Sequence, residues 1–272
     1  MARAAAIAEQ PAAILRTNQG DAVPLQRVSA RGRLEGLLFE LTVEQRYRND
    51  TDKNLEAVFT FPLPLRAVLL GFDLEIGERK LSARAVAKQE ASERYEQAID
   101  DGNTAALIEH DGNGLYTVSL GNLMAGENAV IRYRYAELLD AHDGYVRLNV
   151  PTVIAPRYGK PSDAGLEGPA IPGVELLAEY PFSLTLDLPS LTNALGLHSP
   201  SHNINTTVRT DGLTVRLVRT GFLDRDFVLE IDQAAIPEHT LGARDGDGFV
   251  ALASATLGLD TAESRPIALK VL

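Results

Sequence analysis

The sequence predicts a mainly β fold with one principal α-helix, and three features of the chain lead to this prediction. Apolar and polar residues alternate in residues 38–47 and in many later segments, a period of two that is typical of half-buried strands. Asp211-Gly212 stands between two such segments, where an Asp-Gly pair favours a tight hairpin. Helical spacing of apolar residues occurs over residues 88–99.

The predicted strands are short runs bounded by turn residues. Pro62 and Pro64 end the second run, because proline cannot donate to a β ladder. Gly77-Glu78 provides a turn between two others. The runs after the first are 58–61, 69–76, 80–87, 116–120, 131–135, 146–150, 182–188, 207–210, 213–218, 227–231 and 249–253.

The distribution of turn residues along the chain predicts two β units. Residues 1–24 are expected to form a flexible leader before the first β unit. Residues 160–175 lie in a stretch rich in proline and glycine, which favours a linker or a long surface loop. Residues 176–258 should then pack as a second sandwich-like unit.

The formal charge of −11, from 26 basic and 37 acidic residues, narrows the possible partners. Nucleic acid binding depends on cationic groups that neutralise phosphates, so this balance argues against a nucleic acid partner. A membrane-spanning helix needs about 20 apolar residues and a secretory signal about 7–15. Residues 4–8 are too few for either. We therefore expect no membrane insertion and a cytoplasmic protein, or an extracellular one if a signal has been removed.

Metal and thiol chemistry find little support in the sequence, and we expect no cofactor. The chain has no cysteine, which excludes disulfides, thiolate metal sites and thiol catalysis. His198 and His202 are four residues apart, but Pro200 between them disfavours a continuous helix that would point both at one ion. We expect a solvated loop there.

One acidic cluster resembles a calcium loop only in part. Asp50, Asp52 and Asn54 match the first three ligand positions of an EF-hand. Leu55 stands where that loop needs glycine, and Phe61 stands where it needs glutamate. The sequence therefore predicts no EF-hand.

Other polar residues also favour structural roles over catalysis. The Asp-Gly-Asp-Gly stretch at 245–248 is compact enough to bind a cation, but as a turn before a strand it needs no ion. His110, His142 and His239 lie in polar, turn-like contexts and are expected at the surface rather than as general bases. No serine stands in a nucleophile-elbow motif. We expect no enzyme.

Four motifs occur in order between residues 25 and 159, and together they resemble one known family. The strand end Tyr47-Arg48-Asn49 is followed by a Phe-Pro-Leu-Pro segment at 61–64, and Gly121-Asn122 suggests a turn further on. A helix pattern and a closing segment comprise Lys88, Glu90, Ala91, Tyr95, Ala98 and Gly102, and then Pro156, Arg157 and Tyr158. This ordered set resembles the VIT domain, the vault protein and inter-α-trypsin inhibitor heavy-chain module. The resemblance implies that residues 25–159 form an antiparallel, sandwich-like domain.

The resemblance implies mostly structural roles for these residues. Ala91, Tyr95 and Ala98 share one helix face and should pack on the sheet. Gly102 and Asn122 suit backbone positions with positive φ.

Arg157 has two interpretations. It fits a grip on a ligand carboxylate, but a structural ion pair or a stack on Tyr158 is the expected role.

The second half of the chain also resembles the family, in which further β strands and a von Willebrand factor A domain follow the VIT domain. Residues 226–231 and 246–253 resemble the connecting strands, and residues 265–272 the first strand of the A domain. The run 267–272 is nearly all apolar, as in strands covered on both faces. The family's A domain carries a divalent-metal-dependent site beyond this strand, so that site is not transferred to this chain.

These features favour a non-catalytic protein-interaction or scaffold module with an unidentified protein partner. The alternative is a carbohydrate- or peptide-binding β-sandwich, which needs an exposed aromatic platform or groove, although only 6% of the residues are aromatic. A hydrolase is a third possibility and would require converging Ser, His and Asp side chains or paired carboxylates.

Overall fold

A computed structural model describes residues 15–17, 23–82, 106–110, 114–152, 181–189, 191, 195–219 and 225–255. Strands dominate these residues, and the one helix among them is a 3-10 turn at Gln233–Ala235. The prediction of a mainly β fold is confirmed. The predicted α-helix at 88–99 and the apolar run at 267–272 lie outside the described residues.

Eighteen strands lie within the described residues. In chain order they are β1 (Leu15–Thr17), β2 (Leu25–Glu35), β3 (Leu38–Arg48), β4 (Leu55–Pro62), β5 (Val68–Ile76), β6 (Arg79–Ser82), β7 (Ala106–His110), β8 (Leu115–Leu123), β9 (Asn128–Leu138), β10 (Ala141–His142), β11 (Tyr145–Val150), β12 (Phe182–Pro189), β13 (Leu197–His198), β14 (Ile204–Arg209), β15 (Gly212–Leu217), β16 (Phe227–Asp232), β17 (His239–Asp245) and β18 (Gly248–Ser254).

These strands form one large sheet and three smaller ones. The large sheet has eight strands in the order β14-β15-β12-β2-β3-β9-β5-β6. Two four-stranded sheets have the orders β1-β4-β8-β7 and β10-β11-β16-β13, and β17 pairs with β18 alone. Neighbouring strands of the large sheet are antiparallel except β2 and β12, which run parallel.

Aromatic side chains join the large sheet to the sheet that contains β4. The ring of Phe61 stacks on Tyr133 of β9 with centroids 4.3 Å apart, and it lies 6.1 Å from Phe72 of β5. Phe59 meets Tyr47 of β3 edge-on at 6.4 Å. The first half of the chain is therefore a sandwich, whose two sheets bury these rings between them.

The two predicted units share sheets. Strands β12, β15 and β14 come from the predicted second unit, yet they extend the sheet of β2, β3, β9, β5 and β6. The junction is the parallel pairing of β2 with β12, in which Val28 lies opposite Phe182 and Arg33 opposite Asp187. Strand β11 likewise pairs with β16. The stretch at 160–175 is outside the described residues, but strands that precede it and strands that follow it belong to the same sheets.

The predicted flexible leader at 1–24 contains an ordered strand. Leu15–Thr17 form β1, which pairs with β4. Leu15 is fully buried, and its backbone N–H donates to the hydroxyl of Tyr47 at 3.1 Å. The prediction of flexibility is therefore wrong for these three residues, because Leu15 contributes to the hydrophobic core.

Within the described residues the alternating runs of the sequence correspond to strands, and three predicted turns are confirmed. Gly77, with φ of +56°, lies between β5 and β6, and Gly246, with φ of +57°, lies between β17 and β18. The Asp211-Gly212 hairpin joins β14 to β15, with Arg209 opposite Gly212.

The expected positive φ at Asn122 is wrong. Gly121 and Asn122 lie inside strand β8, and in the described residues the only residue other than glycine with positive φ is Asp143. The turn from β8 to β9 instead uses Gly126, at φ +75°. The strand continues past Asn122 because Leu123 at its end is buried in the core.

Gly32 lies at the core face of β2, where three side chains converge. An added Cβ would be 2.7 Å from Leu186 Cδ2, 2.8 Å from Phe39 Cε2 and 2.9 Å from Leu41 Cδ1. Leu186 and Leu41 are the residues opposite Gly32 on the two neighbouring strands. The missing side chain therefore lets β12 and β3 fill the core above β2.

We predict that Gly32→Ala lowers the free energy of unfolding by about 1–3 kcal/mol, because it overpacks this site. The matched control is Gly71→Ala in β5, where an added Cβ meets no atom within 4 Å; it should change stability by less than about 1 kcal/mol. Urea denaturation measures both. Equal effects of the two substitutions would contradict the packing described at Gly32.

Candidate functional site

The candidate functional site is the solvent face of the eight-stranded sheet. Outward residues of five adjacent strands lie in one register row, because Thr185 of β12 is opposite both Arg216 of β15 and Arg31 of β2. Thr42 of β3 is in turn opposite both Arg31 and Arg134 of β9. Three arginines thus alternate with two threonines across the sheet. We call Arg216, Arg31 and Arg134 the arginine row.

The members of the arginine row are exposed, and none forms an ion pair or hydrogen bond with its side chain among the described residues. Other arginines of the same face are paired: Arg33 with Glu35, and Arg132 with Glu44. The row is therefore a cationic line without internal neutralisation, on a chain whose net charge is −11.

A paired network borders the row. Glu44 accepts hydrogen bonds from Arg132 at 2.7 Å and from Arg46 at 2.9 Å, and Arg132 also reaches Glu75 at 3.4 Å. Burial raises the pKa of the Glu44 carboxyl, but the bonds from the two arginines outweigh burial and hold that pKa below its usual 4.5. The bond to Glu44 raises the pKa of Arg132. This carboxylate is therefore satisfied within the sheet.

A cavity of about 290 Å³ opens on the same face beside Arg31. It lies between β12, β2 and β3, because Ser183 is opposite Ser29 and Ser29 is opposite Glu44. Its lining is polar, and we call it the arginine pocket, with the residues Arg27, Ser29, Ala30, Arg31, Glu44, Arg46, Ser183 and Thr185. The volume is near the lower end, about 300 Å³, of sites that bind small molecules.

A second cavity on this face is smaller and already neutralised. Its volume is about 70 Å³, and Arg33, Asp187, Arg209 and Asp211 contribute to its lining. Arg209 lies 3.6 Å from Asp187 and 3.5 Å from Asp211. Both carboxylates of this cavity thus pair with Arg209, and Arg33 pairs with Glu35, whereas the arginines of the row have no such partners.

The histidines occupy separate places and do not converge. His198 is exposed in strand β13, whereas the ring of His202 lies 5.7 Å from that of Phe227 and is hydrogen-bonded to Ser201. The expected loop is confirmed for residues 199–202, which lie outside any strand, and His198 is exposed as expected. The prediction is wrong in two details: His198 pairs with β16 as the end of β13, and the ring of His202 packs on Phe227. His239 is half-buried rather than at the surface. The described residues contain no group of three His, Asp or Glu side chains able to hold a metal ion.

None of the site residues expected from the sequence belongs to the arginine row or the arginine pocket, and most of them are outside the described residues. Gly121 and Asn122 are in β8, and the acidic cluster at 50–54 includes Asp50, which pairs with Arg48 at 2.9 Å. Lys88, Glu90, Ala91, Tyr95, Ala98, Gly102, Pro156, Arg157 and Tyr158 are outside the described residues.

Sequence patterning alone did not single out the arginine row or the arginine pocket. Both depend on which strands are neighbours, and alternation within a strand does not reveal that. The available signal was the series of polar residues Arg27, Ser29, Arg31 and Arg33 at every second position of β2, with buried residues between them.

In the part of the chain that the structure describes, no helix is long and apolar enough to cross a membrane.

Part of the first half of the chain is similar to a known protein family. Residues 25–135 match the family model of the Vault protein inter-alpha-trypsin domain, abbreviated VIT. The von Willebrand factor A domain-containing protein 5A of Mus musculus is 26% identical over 195 residues, which cover 69% of this chain and 24% of the mouse protein. Protein mono-ADP-ribosyltransferase PARP4 of Homo sapiens is 30% identical over 142 residues, or 52% of this chain and 8% of the human protein.

The chain thus spans a quarter or less of the length of these two relatives. Among solved structures, an M1 zinc metallopeptidase from Deinococcus radiodurans is similar over 89% of this chain and 47% of that chain. The TM-score is 0.41 and the identity 11%, a level of similarity that carries no argument about function.

We predict that Glu44→Gln destabilises the protein by about 1 kcal/mol at neutral pH, because it removes a partly exposed carboxylate from two arginines. The folded-state pKa of Glu44 is lowered, so its contribution is present above pH 4.5 and is lost as the pH falls through that lower pKa. Urea denaturation from pH 7 downward should show the wild-type and variant stabilities converging below pH 4.5. Glu40→Gln, on the same face of β3, is the control. A constant difference at every pH would contradict the network.

Proposed function

Because residues 25–135 match the family model of the VIT domain, we propose that this chain is a non-catalytic protein-interaction module that binds an acidic segment of a partner along the arginine row. The observation that carries the proposal is the exposure of Arg31, Arg134 and Arg216 in one register row without partners among the described residues. Guanidinium groups bind carboxylates with two parallel hydrogen bonds. An acidic partner would supply the missing carboxylates.

The spacing of the row specifies the form of the acidic segment. Neighbouring strands lie about 4.8 Å apart, so arginines on every second strand recur about every 10 Å. A polyproline II segment has three residues per turn and rises about 3.1 Å per residue. Every third side chain therefore lies on one face, about 9 Å apart. A polyproline II segment with glutamate at every third position matches the row.

The other candidate functions lack comparable support. A carbohydrate platform needs several exposed aromatic rings side by side, but Phe39, Phe59 and Phe61 are fully buried. Tyr145 and Phe249, which are exposed, lie in different sheets, on β11 and β18. The histidines that a hydrolase would use are distributed over separate strands: His142 is in β10, and His198 is in β13, three strands away in the same sheet. A non-catalytic role is therefore the proposal.

The domain context and location are part of the same proposal. The name of the mouse relative includes a von Willebrand factor A domain, and residues 265–272, outside the described residues, resemble the start of such a domain. An Asp-x-Ser-x-Ser sequence encoded directly after residue 272 would support this context, and an unrelated sequence would contradict it. The cytoplasmic location expected from the sequence stays a prediction.

The test uses two fluorescein-labelled peptides of identical composition. Glu-Pro-Pro-Glu-Pro-Pro-Glu presents its carboxylates on one face, and Glu-Glu-Glu-Pro-Pro-Pro-Pro does not. Fluorescence anisotropy should show tighter binding of the first peptide and a loss of affinity as salt is added. Mass spectrometry should recover the bound peptide uncleaved, as a non-catalytic role requires.

Charge reversal locates the binding face. Arg134→Glu together with Arg216→Glu should weaken binding of the first peptide by at least about tenfold, since each loses a charge-assisted bond. Arg147→Glu, an exposed arginine of β11 in another sheet, is the matched control and should leave affinity unchanged. Equal binding of the two peptides, or full affinity of the double variant, would overturn the proposal.

A further inference from the structure

We infer that the arginine pocket binds the phosphoryl group of a phosphorylated side chain on the partner, an inference that rests on the proposed interaction along the arginine row. Three arginines line the pocket, and its one carboxylate, Glu44, is already bonded to Arg132 and Arg46. Arg27 and Arg31 have no side-chain partner among the described residues. The pocket therefore holds at least two uncompensated positive charges.

That charge excess fits a phosphoryl group better than a carboxylate. A phosphorylated side chain carries a charge of about −1.5 to −2 at neutral pH and three strong acceptor oxygens. A carboxylate has one charge and two oxygens. A phosphoryl dianion balances the charges of both free guanidinium groups. A single carboxylate would balance only one of them.

The hydroxyl groups of the pocket supply further donors. Ser29 lies on the same face between Ser183 and Glu44, and Thr185 is opposite Arg31. The Ser183 hydroxyl has only a long contact of 3.3 Å to the carbonyl of Val28, so it can turn toward a ligand. Guanidinium and hydroxyl donors together can satisfy all three phosphoryl oxygens. The volume of about 290 Å³ leaves room for the side chain that carries them.

The position of the pocket favours a protein ligand over a nucleic acid. Arg31 belongs both to the pocket and to the middle of the arginine row. A phosphorylated residue in the pocket would thus lie between two acidic residues of the same segment, which contact Arg216 and Arg134. Duplex DNA would bring many phosphates toward a chain with a net charge of −11, where repulsion opposes binding.

The experiment replaces the central glutamate of the polyproline II probe. Labelled Glu-Pro-Pro-pSer-Pro-Pro-Glu, where pSer is phosphoserine, is compared with the peptides that carry serine or glutamate at this position. We expect the phosphopeptide to bind at least tenfold more tightly than the glutamate peptide, and inorganic phosphate to compete with it. Arg27→Gln should reduce this advantage to twofold or less, because it weakens binding of the phosphopeptide far more than binding of the glutamate peptide, whose contacts are with the row.

Two controls separate this inference from the proposed function. Arg134→Gln, in the row but outside the pocket, should lower the affinity for both peptides and preserve the ratio of the two affinities. Arg147→Gln should change neither affinity. Melting temperatures show that each variant is folded. Equal affinities of the phosphopeptide and the glutamate peptide would contradict phosphoryl binding in the arginine pocket, but they would not contradict the proposed interaction along the row. Failure of all the peptides to bind would overturn both. Equally tight binding of a duplex oligonucleotide would overturn the pocket by showing a general attraction to polyanions.

Discussion

The parallel pairing of β2 with β12 is the contact on which the rest of the structure depends. It brings together residues far apart in the chain: the Ser183 hydroxyl reaches the carbonyl of Val28, 155 positions away. The entropy lost on closing a loop rises only slowly with its length, so the long separation adds little cost. The pairing instead depends on a close fit, because Leu186 occupies the space that a side chain at Gly32 would need.

One strand serves both the core and the candidate site. Along β2, Ala30 and Gly32 face the core, whereas Arg31 and Arg33 face solvent. The row passes from Arg216 through Thr185 to Arg31 only because β12 pairs with β2 and β15 pairs with β12. The arginine pocket crosses the same junction. The proposed binding face therefore combines both halves of the chain and exists only in the complete sheet, and residues beyond the VIT match are part of it.

The strands were more predictable than their arrangement. Alternation located β3 and β9 because large apolar residues such as Phe39 and Tyr133 recur at every second position. The same rule does not identify β2, since the core positions of this strand include Ala30 and Gly32. The small size of these two residues reflects close packing rather than weak burial. The register that aligns Arg31 with residues of β9 and β15 comes from long-range pairing, which no local pattern contains.

Native-state hydrogen exchange tests most directly whether one cooperative sheet carries both the fold and the binding face. The measurement compares the amides of residues 28–33 with those of residues 182–187, which pair across the β2–β12 junction. Opening of a cooperative unit exposes its members together. We predict the same opening free energy and the same denaturant dependence for both segments. Exchange of residues 182–187 at a markedly lower free energy, with residues 28–33 still protected, would contradict it.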